Sequence, residues 1–314
     1  MTGAGSTRVD LQGVVVPVMT PFDPATLDVQ FDALGAHIDH LLDAGVHGLI
    51  TNAGASEFYH LDDAERRAVA EFVVARVAGR RPVLIGVGSS GTRNSIAFAR
   101  HAEAIGADGV MLMAPFYGGR PRSLVINHFV ATSDAISIPM LLYDNPFATN
   151  VTLTNDDILE IVGQANIPWI KLTTKHVENV PELVHRLDGR ALVFEGFDPL
   201  ALFSLMNGSV GWVCTPANAF PGLCLNLWRL AYVERDLAGA LAIHQAFEPY
   251  LTYILNAPGG FLSALKESCG VQGRPMGVVR PAFRNLSDAE RVDVGRLTTQ
   301  VLAHGWERAP SAVG

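Results

Sequence analysis

The sequence predicts a (β/α)8 TIM barrel followed by an α-helical C-terminal extension. Three observations carry that prediction. Short apolar runs alternate with helix-length amphipathic segments, the pattern of a parallel sheet covered on its outer face. Eight such units fit into about 220 residues, the count and size of a closed barrel. Reactive side chains also close several of these runs, at the strand ends where such barrels keep their chemistry. A doubly wound open sheet competes, but it uses fewer strands and leaves some runs unplaced.

In chain order, the first residues to Asp10 read as a flexible flank. GVVVPVMTPF (Gly13 to Phe22) is an apolar strand stopped by Pro21, and Phe31, Leu34, Ile38, Leu41 and Leu42 then share a helical face. HGLITNAG follows, and Asp62 with Glu65 three residues on forms a capping box that opens the next helix. RPVLIGVG ends at Gly88 before a helix near Thr92; DGVMLMAP ends at Pro115 before a helix from about Pro121. PMLLYDNP and IPWIKLTT flank LTNDDILEIVG, whose Leu153, Ile158, Ile161 and Val162 line one helical face. ALVFEGFD and VGWVCTP complete the set.

Beyond Asn218 the strands stop. Leu223 to Val233, Leu237 to Leu255, Gly259 to Cys269 and Ser287 to Leu302 read as helices, the last opened by Ser287 and Glu290. This places the barrel at residues 11–234 and the helical extension at 235–305, with a frayed tail after Trp306.

Composition narrows the function. The 314-residue chain is 49% hydrophobic and carries a net charge of -8, with no basic run or basic-aromatic stripe. Nucleic acid and anionic membrane surfaces are therefore not expected partners. No apolar run approaches the ~20 residues of a membrane span, and the N-terminus lacks an apolar signal core. Cys214, Cys224 and Cys269 show no CxxC spacing, which fits a reduced, cytoplasmic protein.

The chemistry centres on Tyr143 and Lys171, which end two consecutive strands of one β-α-β unit. An ammonium at the end of an apolar strand is costly unless it is paired or reaches the rim. The functional alternative is an amine that attacks a ketone and forms a Schiff base, with the phenol moving the protons that dehydration requires. Lys171 is the sole lysine at the predicted rim; Lys175 and Lys266 fall in loops or helices. The small-residue loop Asn52 to Glu57 offers backbone N–H groups to a carboxylate, although a plain tight turn explains it equally. His37, His40, His47 and His60 form no metal-binding pattern and read as solvated helix positions, and Cys214 reads as a buried filler. No metal and no cofactor is expected.

At these residues the chain resembles the dihydrodipicolinate synthase / N-acetylneuraminate lyase family of pyruvate-type class I aldolases. LLYDNP and WIKLTT carry the resemblance, supported by ITNAGASE, Gly86-Val87-Gly88, Pro115-Phe116-Tyr117, Gly196-Phe197-Asp198 and GWVCTPAN. It implies Lys171 as the Schiff-base lysine and Tyr143 as the proton-transferring phenol. It also implies Ala55 as a backbone carboxylate binder and Val213 as a wall of the pyruvoyl pocket. Tyr117 matches a tyrosine that enters a neighbouring subunit's site, which implies a homo-oligomer, a dimer or tetramer.

Departures from the family pattern bear on substrate. The usual GTTGE loop is Ala53-Gly54-Ala55-Ser56-Glu57, so the hydroxyl that links Tyr143 to Tyr117 is missing at Gly54. Ser56, two positions on, or a water is the expected replacement. Ala148 stands where lysine-pathway synthases hold a carboxylate-clamping arginine, which argues against that substrate. The expected function is thus a class I lyase acting on pyruvate or a related 2-oxo acid. A keto-deoxy sugar acid dehydratase of the same family is the alternative within enzymes. A catalytically impaired binding or regulatory protein on the same scaffold is the alternative outside them.

Overall fold

The computed structural model describes residues 10–117 and 121–307. Most of the expected flexible flanks therefore lie outside the described residues, although Trp306 and Glu307 are anchored: Trp306 O accepts from Asn226 Nδ2 at 2.8 Å, and Glu307 accepts from Gly222 N at 3.0 Å.

The strands are β1 (Gly13–Pro17), β2 (Gly48–Thr51), β3 (Val83–Gly86), β4 (Gly109–Met113), β5 (Met140–Asp144), β6 (Trp169–Leu172), β7 (Leu192–Glu195) and β8 (Gly211–Val213). Every neighbouring pair is parallel, and β8 returns to β1 to close the barrel. The predicted runs are all strands, because each is buried on both faces and needs apolar side chains in succession.

Alternation along each strand divides the core in two. Val15, Ile50, Leu84, Met111, Leu141, Trp169, Phe194 and Val213 form an inner cluster, one from each strand. Their neighbours Val14, Leu49, Ile85, Val110, Leu142, Ile170, Val193 and Trp212 pack outward against the helices. With period two, Tyr143 follows Leu141 into the lumen and Lys171 follows Trp169. A one-residue slip would send both outward.

Helices begin where the sequence signals them. Asp62 accepts from Glu65 N at 2.8 Å and Glu65 returns a bond to Asp62 N at 3.0 Å. Ser287 and Glu290 repeat the arrangement at Asp288–Ala303; each such cap contributes about 1 kcal/mol. Past β8, Pro221–Trp228 runs into a π-helical turn at Arg229–Glu234, followed by helices Leu237–Asn256, Phe261–Val271 and Asp288–Ala303.

His37 corrects the expectation of a solvated histidine. It lies on the core-facing side of helix Phe31–Ala44 with Leu34, Ile38 and Leu41, and is buried. The amide of Asn218 is oriented by donating to Pro17 O and Thr215 O, so its Oδ1 accepts from His37 Nε2 at 2.9 Å. Burial lowers the imidazole's pKa to about 4, which keeps the ring neutral.

Candidate active site

Lys171 and Tyr143 are direct partners in the β5–β6 ladder. Lys171 Nζ lies 4.0 Å from the centroid of the Tyr143 ring. The lysine is 5% exposed, so it does not reach out to solvent. Among the described residues no carboxylate stands within 4.0 Å of its ammonium position. Neither structural explanation for a strand-end lysine is met. Lys266 shows the contrast: it is equally buried but bonds Glu57 at 2.8 Å and Val278 O at 2.6 Å.

Gly196 makes room for the Lys171 side chain. A Cβ at that position would stand 2.4 Å from Lys171 Cε and 2.3 Å from Thr173 Oγ1. Gly196→Ala is therefore expected to displace the amine and cut turnover about 100-fold, as ångström-scale misplacement does, with a smaller loss of substrate affinity. Steady-state kinetics against a matched melting curve would check this.

Two buried carboxyls lie at the end of β7 and in the turn after it. Glu195 Oε1 accepts from Gly196 N at 2.8 Å and Phe197 N at 2.7 Å, and Asp198 Oδ1 accepts from Trp212 Nε1 at 2.9 Å. Burial pushes both carboxyls up to about 7, against the pull of their hydrogen bonds and of Lys171. Because Glu195 binds its proton more tightly when folded, its stabilising share is complete below about 4.5 and is lost as pH rises to about 7. That share is on the order of 3 kcal/mol. Glu195→Gln should therefore flatten the decline in Tm between pH 5 and pH 8; an undiminished decline would show that Glu195 does not carry it.

The loop after β2 forms a 3-10 turn at Gly54–Ser56. Ser56 Oγ donates to Val18 O at 2.6 Å and accepts from Ala53 N at 3.1 Å, and Ser56 N closes the turn on Ala53 O at 3.0 Å. Its hydroxyl is thus spent on backbone, and the expectation that it replaces the one missing at Gly54 fails. The hydrogen bond on the phenol comes from elsewhere: Asn145 Nδ2 donates to Tyr143 Oη at 2.7 Å. The sequence carried a signal for the turn behind it, since Asn before Pro is a strong helix start, but none for the phenol contact.

Ala55 lines a cavity of about 280 Å³ together with Gly54, Tyr59, Thr215, Leu262, Ser263 and Phe283. Tyr59 Oη donates to Gly54 O at 3.4 Å. Val213 is fully buried in the same inner cluster as Tyr143. Toward β5 and β6, a second cavity of about 290 Å³ takes in Asp144, Phe147 and Lys175. Lys175, in the loop after β6, places its Nζ 5.7 Å from the Phe147 ring and 6.0 Å from the Phe197 ring, which makes it a cation at this cavity. Tyr117 is 78% exposed and is not part of the inner cluster that holds Tyr143. Among the described residues, no group of three or more His, Cys, Asp or Glu has the geometry to hold a metal ion.

The Dihydrodipicolinate synthetase family model matches residues 10–301. YagE of Escherichia coli K12 is 31% identical over 297 residues, covering 92% of this chain and 96% of its own. The 4-hydroxy-tetrahydrodipicolinate synthase of Staphylococcus carnosus is 32% identical and covers 78% of this chain and 81% of its own. Among solved structures, YagE in complex with pyruvate superposes with a TM-score of 0.87 at 29% identity, over 93% of this chain and 98% of that one. The Aquifex aeolicus dihydrodipicolinate synthase gives 0.86 at 26%, over 92% and 98%. A closed eight-stranded barrel, a lumen lysine facing a tyrosine across one ladder and a match along nearly the whole chain converge: this protein belongs to the dihydrodipicolinate synthetase family.

Proposed function

We propose that this protein is a class I lyase that cleaves or forms a C–C bond next to a 2-oxo acid, through a Schiff base on Lys171. The observation that carries the reading is the buried, carboxylate-free amine of Lys171 against the Tyr143 ring. The amine attacks the C2 ketone and gives a carbinolamine. Tyr143 returns a proton to the departing hydroxyl, and water leaves. The resulting iminium accepts the electron pair of the breaking C–C bond as an enamine. The other fragment leaves as a carbonyl compound, and its hydroxyl proton passes to the Tyr143 oxygen. The enamine is then protonated at carbon and hydrolysed, which releases the 2-oxo acid and the free amine. Ala55 holds the substrate carboxylate through its backbone N–H, with Ser56 closing that turn and Val213 against the pyruvoyl methyl. Tyr117 serves the site of a neighbouring protomer in a homo-oligomer, a dimer or tetramer, working in the cytoplasm.

Ala148 provides no bidentate clamp for a carboxylate on the second substrate, which disfavours the lysine-pathway aldehyde. YagE's name provisionally gives it 2-dehydro-3-deoxy-D-gluconate aldolase activity. A sugar-acid lyase or dehydratase with the same lysine is accordingly the first panel to assay, and product analysis separates the two. The test of the mechanism is borohydride reduction in the presence of pyruvate. A pyruvoyl adduct on the Lys171 peptide is expected. Failure with pyruvate and with longer 2-oxo acids would sink the mechanism and favour a ligand-binding protein on this scaffold, the reading that the missing hydroxyl at Gly54 leaves standing.

A further inference from the structure

We infer that Asn145 is a positioning residue for Tyr143: its side-chain amide, locked by the turn after β5, donates to the phenol oxygen and presents that oxygen as a proton acceptor during imine formation. The inference deepens the Schiff-base reading and rests on it.

Both ends of the amide are fixed. Oδ1 accepts from Ala148 N at 3.3 Å as the cap of the short helix Pro146–Thr149, so Nδ2 is the atom that meets Tyr143 Oη at 2.7 Å. The backbone is held as firmly, since Asn145 O accepts from Thr149 N at 3.0 Å and from Thr149 Oγ1 at 2.9 Å. Among the described residues this is the one protein hydrogen bond on the phenol oxygen. Asp, Ser, Thr and Asn all cap helices well. Of these, the amide alone has separate acceptor and donor atoms, and so serves the turn and the phenol together.

An amide N–H does not release its proton, so this contact cannot pass a proton onward as a hydroxyl would. It fills one lone-pair direction of Oη with a fixed dipole and leaves the other without a protein partner among the described residues, on a ring that Lys171 Nζ overlies at 4.0 Å from the centroid. A proton taken up by Oη then returns to the reacting atoms or to water. The missing hydroxyl is thereby replaced in its orienting role but not in its conducting role. Space remains for the original solution, because a Cβ at Gly54 would meet nothing within 4 Å.

The experiment is single-turnover trapping of pyruvate by the full-length protein with borohydride across a pH series. Asn145→Asp keeps the capping oxygen and removes the donor. It is expected to leave Tm unchanged, to keep the adduct on Lys171, and to slow trapping about tenfold near neutrality, the worth of one strong hydrogen bond. The deficit should close as the pH falls toward the carboxyl range, where a protonated Asp donates again. Asn145→Ala should be slow at every pH, and Gly54→Thr added to it should restore part of the rate. Wild-type rates in Asn145→Asp at all pH values, or equal deficits in the Asp and Ala variants at every pH, would overturn the inference while leaving the Lys171 adduct intact. Absence of any adduct in the wild type is a separate result and defeats the Schiff-base reading itself.

Discussion

Lys171→Ala is expected to abolish the borohydride-trapped adduct and to lower turnover by roughly 10⁶-fold, the loss typical of removing a covalent nucleophile. Neither of the other two lysines is placed to substitute. Lys266 is committed to Glu57 at 2.8 Å, and Lys175 lies in the loop after β6 beside Phe147 and Phe197. Lys171→Arg fails equally, because a guanidinium keeps its proton and is no nucleophile. Stability moves the other way. The barrel buries the Lys171 amine without a carboxylate partner, so Lys171→Met, which fills the same volume without a charge, should raise Tm. A variant that is both inactive and more stable separates a functional lysine from a structural one. A destabilised Lys171→Met would instead place the residue among the supports of the fold.

Tyr143→Phe is expected to lower turnover by roughly 10²–10⁴-fold, the range for a lost general acid-base group, while KM changes little. The ring stays over Lys171 and still shields the amine, so the adduct still forms, more slowly. Rapid-quench trapping reads this directly: the imine appears late but reaches full occupancy. The variant also leaves Asn145 Nδ2 without its 2.7 Å acceptor, so part of the cost is local to that amide. Full speed in Tyr143→Phe would assign the proton transfers to another group.

The barrel was legible in the chain because its strands are buried on both faces and are bounded by turn residues. Tyr143 and Lys171 were legible for a related reason: polar groups at the ends of apolar runs are costly, and consecutive parallel strands bring those ends together. The capping boxes at Asp62 and Ser287 are local signals and read directly. What escaped depends on partners far along the chain. His37 can be buried because Asn218, 181 residues later, accepts a hydrogen bond from its ring, and burial then keeps that ring neutral. Ser56 is lost to a relay because Val18 O, 38 residues earlier, captures its hydroxyl. Asn145 lies only two residues from Tyr143, yet the orientation of its amide is set by a turn whose geometry no period or composition announces.

The Glu57–Lys266 pair also sets the order in which the site can be completed during synthesis. The two residues are 209 apart in the chain. At ribosomal rates of about 5–20 residues per second, the glutamate waits roughly 10–40 s for its cation. Lys171 and Tyr143 are made within that interval, so the amine and phenol exist before the loop beside Ala55 can be sealed. Until then the loop has its earlier ties to the first strand's end, Ser56 Oγ to Val18 O and Thr20 Oγ1 to Ser56 O, and still lacks the cation. The fastening that Lys266 adds to this loop is therefore available only once helix Phe261–Val271 has been made.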